Sequence, residues 1–153
     1  MRTRHVSGRE SIWDYPHPPA VRSTRRRIQV IHANTLIADT VRALRVCERG
    51  HPPTYYVPPE DVRMELLEPG DKKTFCEWKG LAIYYDLYID DQLVEEVAWQ
   101  YPEPSRGFES IRDFVAFYAD RLDRCLVDGE EVIPEPGSFY GGWITSDIEG
   151  PFQ

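Results

Sequence analysis

Thirteen prolines are scattered along the 153 residues, most of them in close pairs, and they limit the accessible folds more than any other feature. Each removes a backbone donor and biases the residue before it toward extended geometry. The stretch "SIWDYPHPPAV" therefore cannot be a helix; it reads as a polyproline-like arm anchored on the body by Trp13 and Tyr15. In "HPPTYYVPPEDV", Pro52-Pro53 and Pro58-Pro59 flank only four residues and keep them extended. Tyr55 and Tyr56 must then point to opposite sides, one into the body and the other toward the surface or a pocket mouth. With ten glycines added, the punctuation predicts many short elements joined by turns, hence a β-rich chain.

Between these breaks the apolar pattern alternates. "RIQVIHA" and "TLIAD" flank Asn34 as a hairpin, and "RALRVCE" follows as a third strand. "VRMELLE" reads as another strand, ending in a turn at "PGDKK". The clearest hairpin is 80–101. Ala82, Tyr84, Asp86 and Tyr88 face one way, Leu81, Ile83, Tyr85, Leu87 and Ile89 the other, and Asp90-Asp91 turns the chain into "LVEEVAWQY". Asp128-Gly129 marks a further two-residue turn. Phe108, Ile111, Val115, Tyr118 and Leu122 recur at helical spacing, so one short α-helix is expected near 109–120. The fold class that results is mainly β: a compact single-domain antiparallel barrel or sandwich with that one helix. Residues 1–26 read as a basic, Pro-rich arm packed on the body, and 27–153 as a single β-rich domain.

Charge narrows the partners. The net formal charge is −8, which disfavours general binding to nucleic acid or to an anionic membrane, so neither is expected as a partner. Seven arginines within residues 1–30 face only Glu10 and Asp14 there, which suggests a basic arm lying on a more acidic body. No apolar run approaches the roughly 18 residues of a membrane span, and the N-terminus lacks the apolar core of a secretory signal. Cys47, Cys76 and Cys125 are odd in number and far apart, so free thiols in a reducing cytoplasm are expected. The histidines are scattered, no C-x-x-C occurs, and no phosphate-cradling G-x-x-x-x-G-K-[ST] loop is present. No metal and no cofactor are expected.

The motifs "ESIWDYP", "CERGHPPTYYVPPEDV", "TFCEWKG", "AWQYPEP", "VAFY" and "FYGGWITSDIEGPF" resemble, in order, those of the family called domain of unknown function 427. The resemblance runs from about Glu10 to Phe152. It implies a small, mainly β single domain without an established activity, which also carries the label of a nucleotidyltransferase domain. Nucleotidyl transfer calls for carboxylates that hold metal ions on the phosphates. The nearest approach here is Asp90-Asp91, whose place at a hairpin tip reads as turn chemistry.

Functional residue types gather at three places: Glu48 with Tyr55, Tyr56 and Asp61; Cys76 with Lys79; and Tyr84 with Trp99 and Tyr101. Pairing of 80–89 with 93–101 would bring Tyr84 near Trp99, and together these side chains would line a concave aromatic pocket. The competing reading is that the aromatics are ordinary core. Cys76 would need Lys79 to lower its pKa, and the two meet only if the chain turns at Trp78–Gly80. His51 is the histidine that would have to approach as a base. Lys79 is expected to pair with Glu48 or Asp61, or to face the pocket. The functional expectation is a small-molecule ligand, polar or anionic, in an aromatic-lined pocket. The alternatives are an interaction module without catalysis, using the Pro/Tyr-rich arm and loop, and a metal-dependent nucleotidyltransferase.

Overall fold

Alternation along Gly80–Ile89 organises the molecule, because the two faces of that strand enter different apolar clusters. A computed structural model describes residues 9–137 and 139–152. Gly80–Ile89 lies inside a four-stranded antiparallel sheet, between Gln92–Gln100 and the edge strand Leu67–Cys76, with the short strand Ala116–Phe117 on the far side of Gln92–Gln100. Tyr85, Leu87 and Ile89 point into the main core with Ile28, Val30, Ile37, Tyr55, Val57, Phe117 and Trp143. Ala82 and Tyr84 point the other way and join Tyr56, Trp99, Tyr101, Ile111 and Tyr118 in a second cluster. Period-two side-chain direction thus makes one sheet serve a dry core and an aromatic patch at once.

A second four-stranded sheet runs in the order Glu130–Glu131, Arg124–Val127, Ile28–His32, Thr35–Thr40. A third holds Ala20–Ser23, Leu44–Cys47 and Thr54–Tyr56. The bridge between Val57 and Val115 ties this third sheet to the first. The sheets stay separate and do not close into a barrel. The protein is mainly β, and no helix among the described residues is long and apolar enough to cross a membrane.

Three turns are alike: Ala33-Asn34, Asp90-Asp91 and Asp128-Gly129 are two-residue loops with both central φ angles positive. This is the type I′ geometry whose twist matches that of the flanking strands. The 80–101 hairpin is antiparallel and turns at Asp90-Asp91. A register shift between Tyr85 and Leu87 interrupts it, opposite Glu96, which has φ +52° and donates its N–H to Asp86.

The sequence expectations need correcting at two places. Residues 109–120 form no α-helix; they contain 3-10 turns at Glu109–Ile111 and Ala119–Arg121 on either side of the Ala116–Phe117 strand. Asp113 at φ +62° breaks any helix, and Val115 and Phe117 face the main core while Ala116 and Tyr118 face the aromatic cluster. Helical spacing was satisfied by residues that in fact alternate. "PGDKK" is likewise no turn: Leu67–Cys76 is one strand with an irregular register between Pro69 and Lys73, preceded by a 3-10 turn at Met64–Leu66.

Residues 1–8 of the basic arm lie outside the described residues. From Glu10 onward, Glu10–Ser11 pairs in parallel with Ile148–Glu149, Ile12 and Tyr15 are buried, and Ala20–Ser23 pairs with Leu44–Cys47. Trp13 is 42% exposed, but its indole donates to the Pro151 carbonyl. Arg26 bonds Asp128 and Asp147, and Arg27 makes a two-point contact with Asp39. Both arginines thus meet acids from other parts of the chain.

Candidate functional site

The aromatic cluster does not fill its own space. It lines a cavity of about 230 Å³. The floor follows from strand register: Tyr84 and Trp99 are direct cross-strand partners, and Trp99 pairs in turn with Ala116, which brings Tyr118 close. Ring centroids lie 4.5 Å apart for Trp99 and Tyr118, and 6.3 Å apart for Tyr56 and Trp99 in an edge-on arrangement. The polar atoms on the floor are mostly satisfied. The Trp99 indole donates to Tyr56 Oη at 3.3 Å, Tyr84 Oη and Thr74 Oγ1 lie 2.9 Å apart, and Tyr118 Oη donates to the Phe139 carbonyl at 2.8 Å. Tyr101 is 5% exposed, and its hydroxyl has no hydrogen-bond partner among the described residues. Burial raises the pKa values of Tyr56, Tyr101 and Tyr118, so all three remain protonated donors.

One wall carries charge. His51 Nδ1 lies 2.6 Å from Glu135 Oε2, and Glu135 is 7% exposed. The other carboxylate oxygen accepts the Gly142 N–H at 3.0 Å, and the Glu135 N–H donates to the Gly142 carbonyl. The carboxylate is thereby fixed by backbone as well as by the imidazole. Glycine is required at this point, since a Cβ on Gly142 would lie 2.5 Å from the Pro52 carbonyl oxygen and 2.7 Å from Glu135 Oε1. At Gly141, φ is +77° and a Cβ would lie 2.6 Å from the Trp99 ring. "FYGGW" has two glycines because its backbone lies directly on the site. His51 itself is held by the turn bond from its N–H to the Glu48 carbonyl, and its ring rests 4.4 Å from that of Tyr140. The hydrogen bond to Glu135 raises the His51 pKa; burial opposes it, the Glu135 and Glu48 charges add to it, and the Lys79 charge works against it.

Of the nine residues singled out from sequence, Glu48, Tyr56, Cys76, Lys79, Tyr84, Trp99 and Tyr101 border this cavity. Tyr55 and Asp61 do not. Tyr55 follows strand parity to the opposite side from Tyr56 and enters the main core beside Trp143; both tyrosines are fully buried, so neither stands at a mouth. Asp61 lies on the 3-10 turn Pro59–Asp61 and bonds Thr40 and Arg42. Nor does Lys79 pair with an acid: among the described residues none lies within 4.0 Å of its ammonium, which sits 5.9 Å from the centre of the Tyr101 ring. Glu48 is instead 3.5 Å from His17, and Asp61 is taken by Arg42. Cys76 and Lys79 do come together on one wall, because the chain turns through Glu77–Lys79 and Cys76 pairs with Gly80 at φ +104°. All three cysteines are unpaired, and Cys47 and Cys125 are buried.

Sequence reasoning missed Glu135, Tyr118, Thr74, Trp78 and Tyr140 and left His51 at the margin. Glu135 is 84 positions from His51, so no local spacing announces the pair. The available signal was the double glycine at 141–142, which implied a close approach without saying to what. Among the described residues, no three or more His, Cys, Asp or Glu side chains come together as a group able to hold a metal ion, and Asp90 and Asp91 stay at the hairpin tip.

Among curated proteins, none matches the chain. Residues 20–128, well over half of it, match the family described as Domain of unknown function (DUF427), and the chain belongs to that family.

Proposed function

We propose that the cavity binds a small aromatic carboxylic acid, its carboxylate on Lys79 and its ring against Trp99, Tyr56 and Tyr118. One observation carries this reading: an ammonium group with no acid within 4.0 Å among the described residues borders a cavity with aromatic walls. Partly buried cations normally have a counter-charge, so a site that presents one without it favours an anion from outside. Aromatic walls with few polar groups favour a planar ring, and a volume of about 230 Å³ suits one ring with a short side chain.

Titration with benzoate and with its uncharged counterpart benzamide, followed by the tryptophan indole N–H signals, tests this. Benzoate is expected to saturate, shifting the Trp99 signal, and to bind about tenfold or more tightly than benzamide, the difference of a charge-assisted contact of roughly 1.5–3 kcal/mol. Equal binding of the two, or none, would refute the proposal. A second reading, a protein-docking surface, draws on the mouth, where Phe75, Phe139 and Tyr140 are each more than half exposed. Under that reading Phe75→Ser would abolish partner capture and leave benzoate without effect.

A further inference from the structure

His51 is arranged as more than a fixed charge. Glu135 accepts at Nδ1, so the neutral imidazole carries its proton there and keeps its lone pair on Nε2. A buried carboxylate behind a partly exposed histidine is the arrangement that orients an acid–base group. The charged groups facing the imidazole are Glu135, Glu48 and Lys79. The same cavity is bordered by Tyr101, whose hydroxyl stays protonated and makes no hydrogen bond among the described residues. A donor not already engaged by the protein is what an oxygen gaining negative charge needs.

Resting on the aromatic-acid reading above, we infer that the site interconverts the keto and enol forms of an aryl 2-oxo acid, with His51 moving the proton. Lys79 holds the carboxylate. His51 Nε2 takes a proton from the carbon between the ring and the carbonyl; the C–H electron pair becomes the new C=C bond, and the carbonyl π pair moves to oxygen. Tyr101 donates a hydrogen bond to that oxygen while the charge develops, and the proton on Nε2 is then delivered to it. Substrate and product have the same atoms and the same oxidation level, so no co-reactant is needed. His51 and Tyr101 are the catalytic residues, and Glu135 is a positioning residue.

The test is deuterium uptake at the carbon next to the carbonyl of phenylpyruvate in D₂O, read by proton NMR, with binding followed in the same samples through the indole signals. The wild-type protein is expected to exchange the probe faster than buffer alone. His51→Gln should cut the protein-dependent rate by about 10²-fold or more, the usual contribution of a general base, while affinity stays within about threefold. Glu135→Gln should do the same for a different reason: an amide donating to Nδ1 forces the proton onto Nε2 and removes the lone pair. The wild-type rate should rise with pH through a midpoint above the ordinary histidine value, since the base must be neutral and Glu135 raises its pKa. Tyr101→Phe should lose about tenfold or more with binding intact, which keeps the proposal testable if a His51 variant does not fold. Binding without exchange would overturn this inference and leave the binding site standing, as would unchanged exchange in His51→Gln. Failure to bind either benzoate or phenylpyruvate would overturn both.

Discussion

A methyl group on Gly142 would meet the Pro52 carbonyl oxygen at 2.5 Å and Glu135 Oε1 at 2.7 Å, and neither can withdraw without moving the imidazole. Gly142→Ala is therefore expected to lose about 1–3 kcal/mol in chemical denaturation, the usual cost of overpacking, and to weaken ligand binding as well. A variant as stable as wild type would show that the loop is not seated on the site. His51 makes a second prediction at this scale. Its folded-state pKa is raised, so the ion pair with Glu135 stabilises the fold fully below about 6.5, the unfolded value. That contribution disappears as pH rises through the raised folded value. The stability gap between wild type and His51→Gln should be widest in mild acid and should close on the alkaline side; a gap independent of pH would contradict the pair. The single residues explain where sequence reasoning reached and where it stopped. Tyr84, Trp99 and Tyr101 could be placed together because strand parity and a turn position suffice. The link between His51 and Glu135 spans 84 positions and depends on Gly142 approaching both, which no local pattern encodes.

At the scale of elements, the hairpins were the most legible part of the chain. Asp90-Asp91 and Asp128-Gly129 stand between alternating runs, and both turn the chain as that pattern requires. The segment 109–122 was not legible, since Ile111, Val115, Tyr118 and Leu122 are all buried whether the backbone is helical or extended, and spacing cannot tell the two apart. Asp113 in the left-handed region and the pairing of Ala116 with Trp99 decide for the strand. The Asp90-Asp91 turn holds two side chains at φ +51° and +60°, where the second position of a type I′ turn prefers glycine. Asp91 is exposed, so Asp91→Gly should raise stability by about 0.5–1 kcal/mol in urea denaturation. A loss of similar size would mean that the Asp91 side chain contributes something beyond the turn.

Taken whole, the molecule uses one sheet twice: its inner face closes the main core, and its outer face floors a cavity that the loops bearing His51 and Gly141–Gly142 complete. This division is why composition and alternation predicted a mainly β domain and gathered seven of the nine candidate residues, yet misplaced Tyr55 and Asp61. Tyr55 takes the side of its strand that faces the main core, and Asp61 is held by Arg42 rather than by Lys79. Lys79 is left without an acid among the described residues, and the functional reading rests on that. Calorimetric titration of benzoate into wild type and Lys79→Ala, with thermal unfolding of both, tests the claim most directly. Affinity should fall about tenfold or more in the variant while the stability of the free protein changes by less than about 0.5 kcal/mol, as for a partly exposed side chain with no ion pair to lose. Equal affinity in the two proteins would contradict the account.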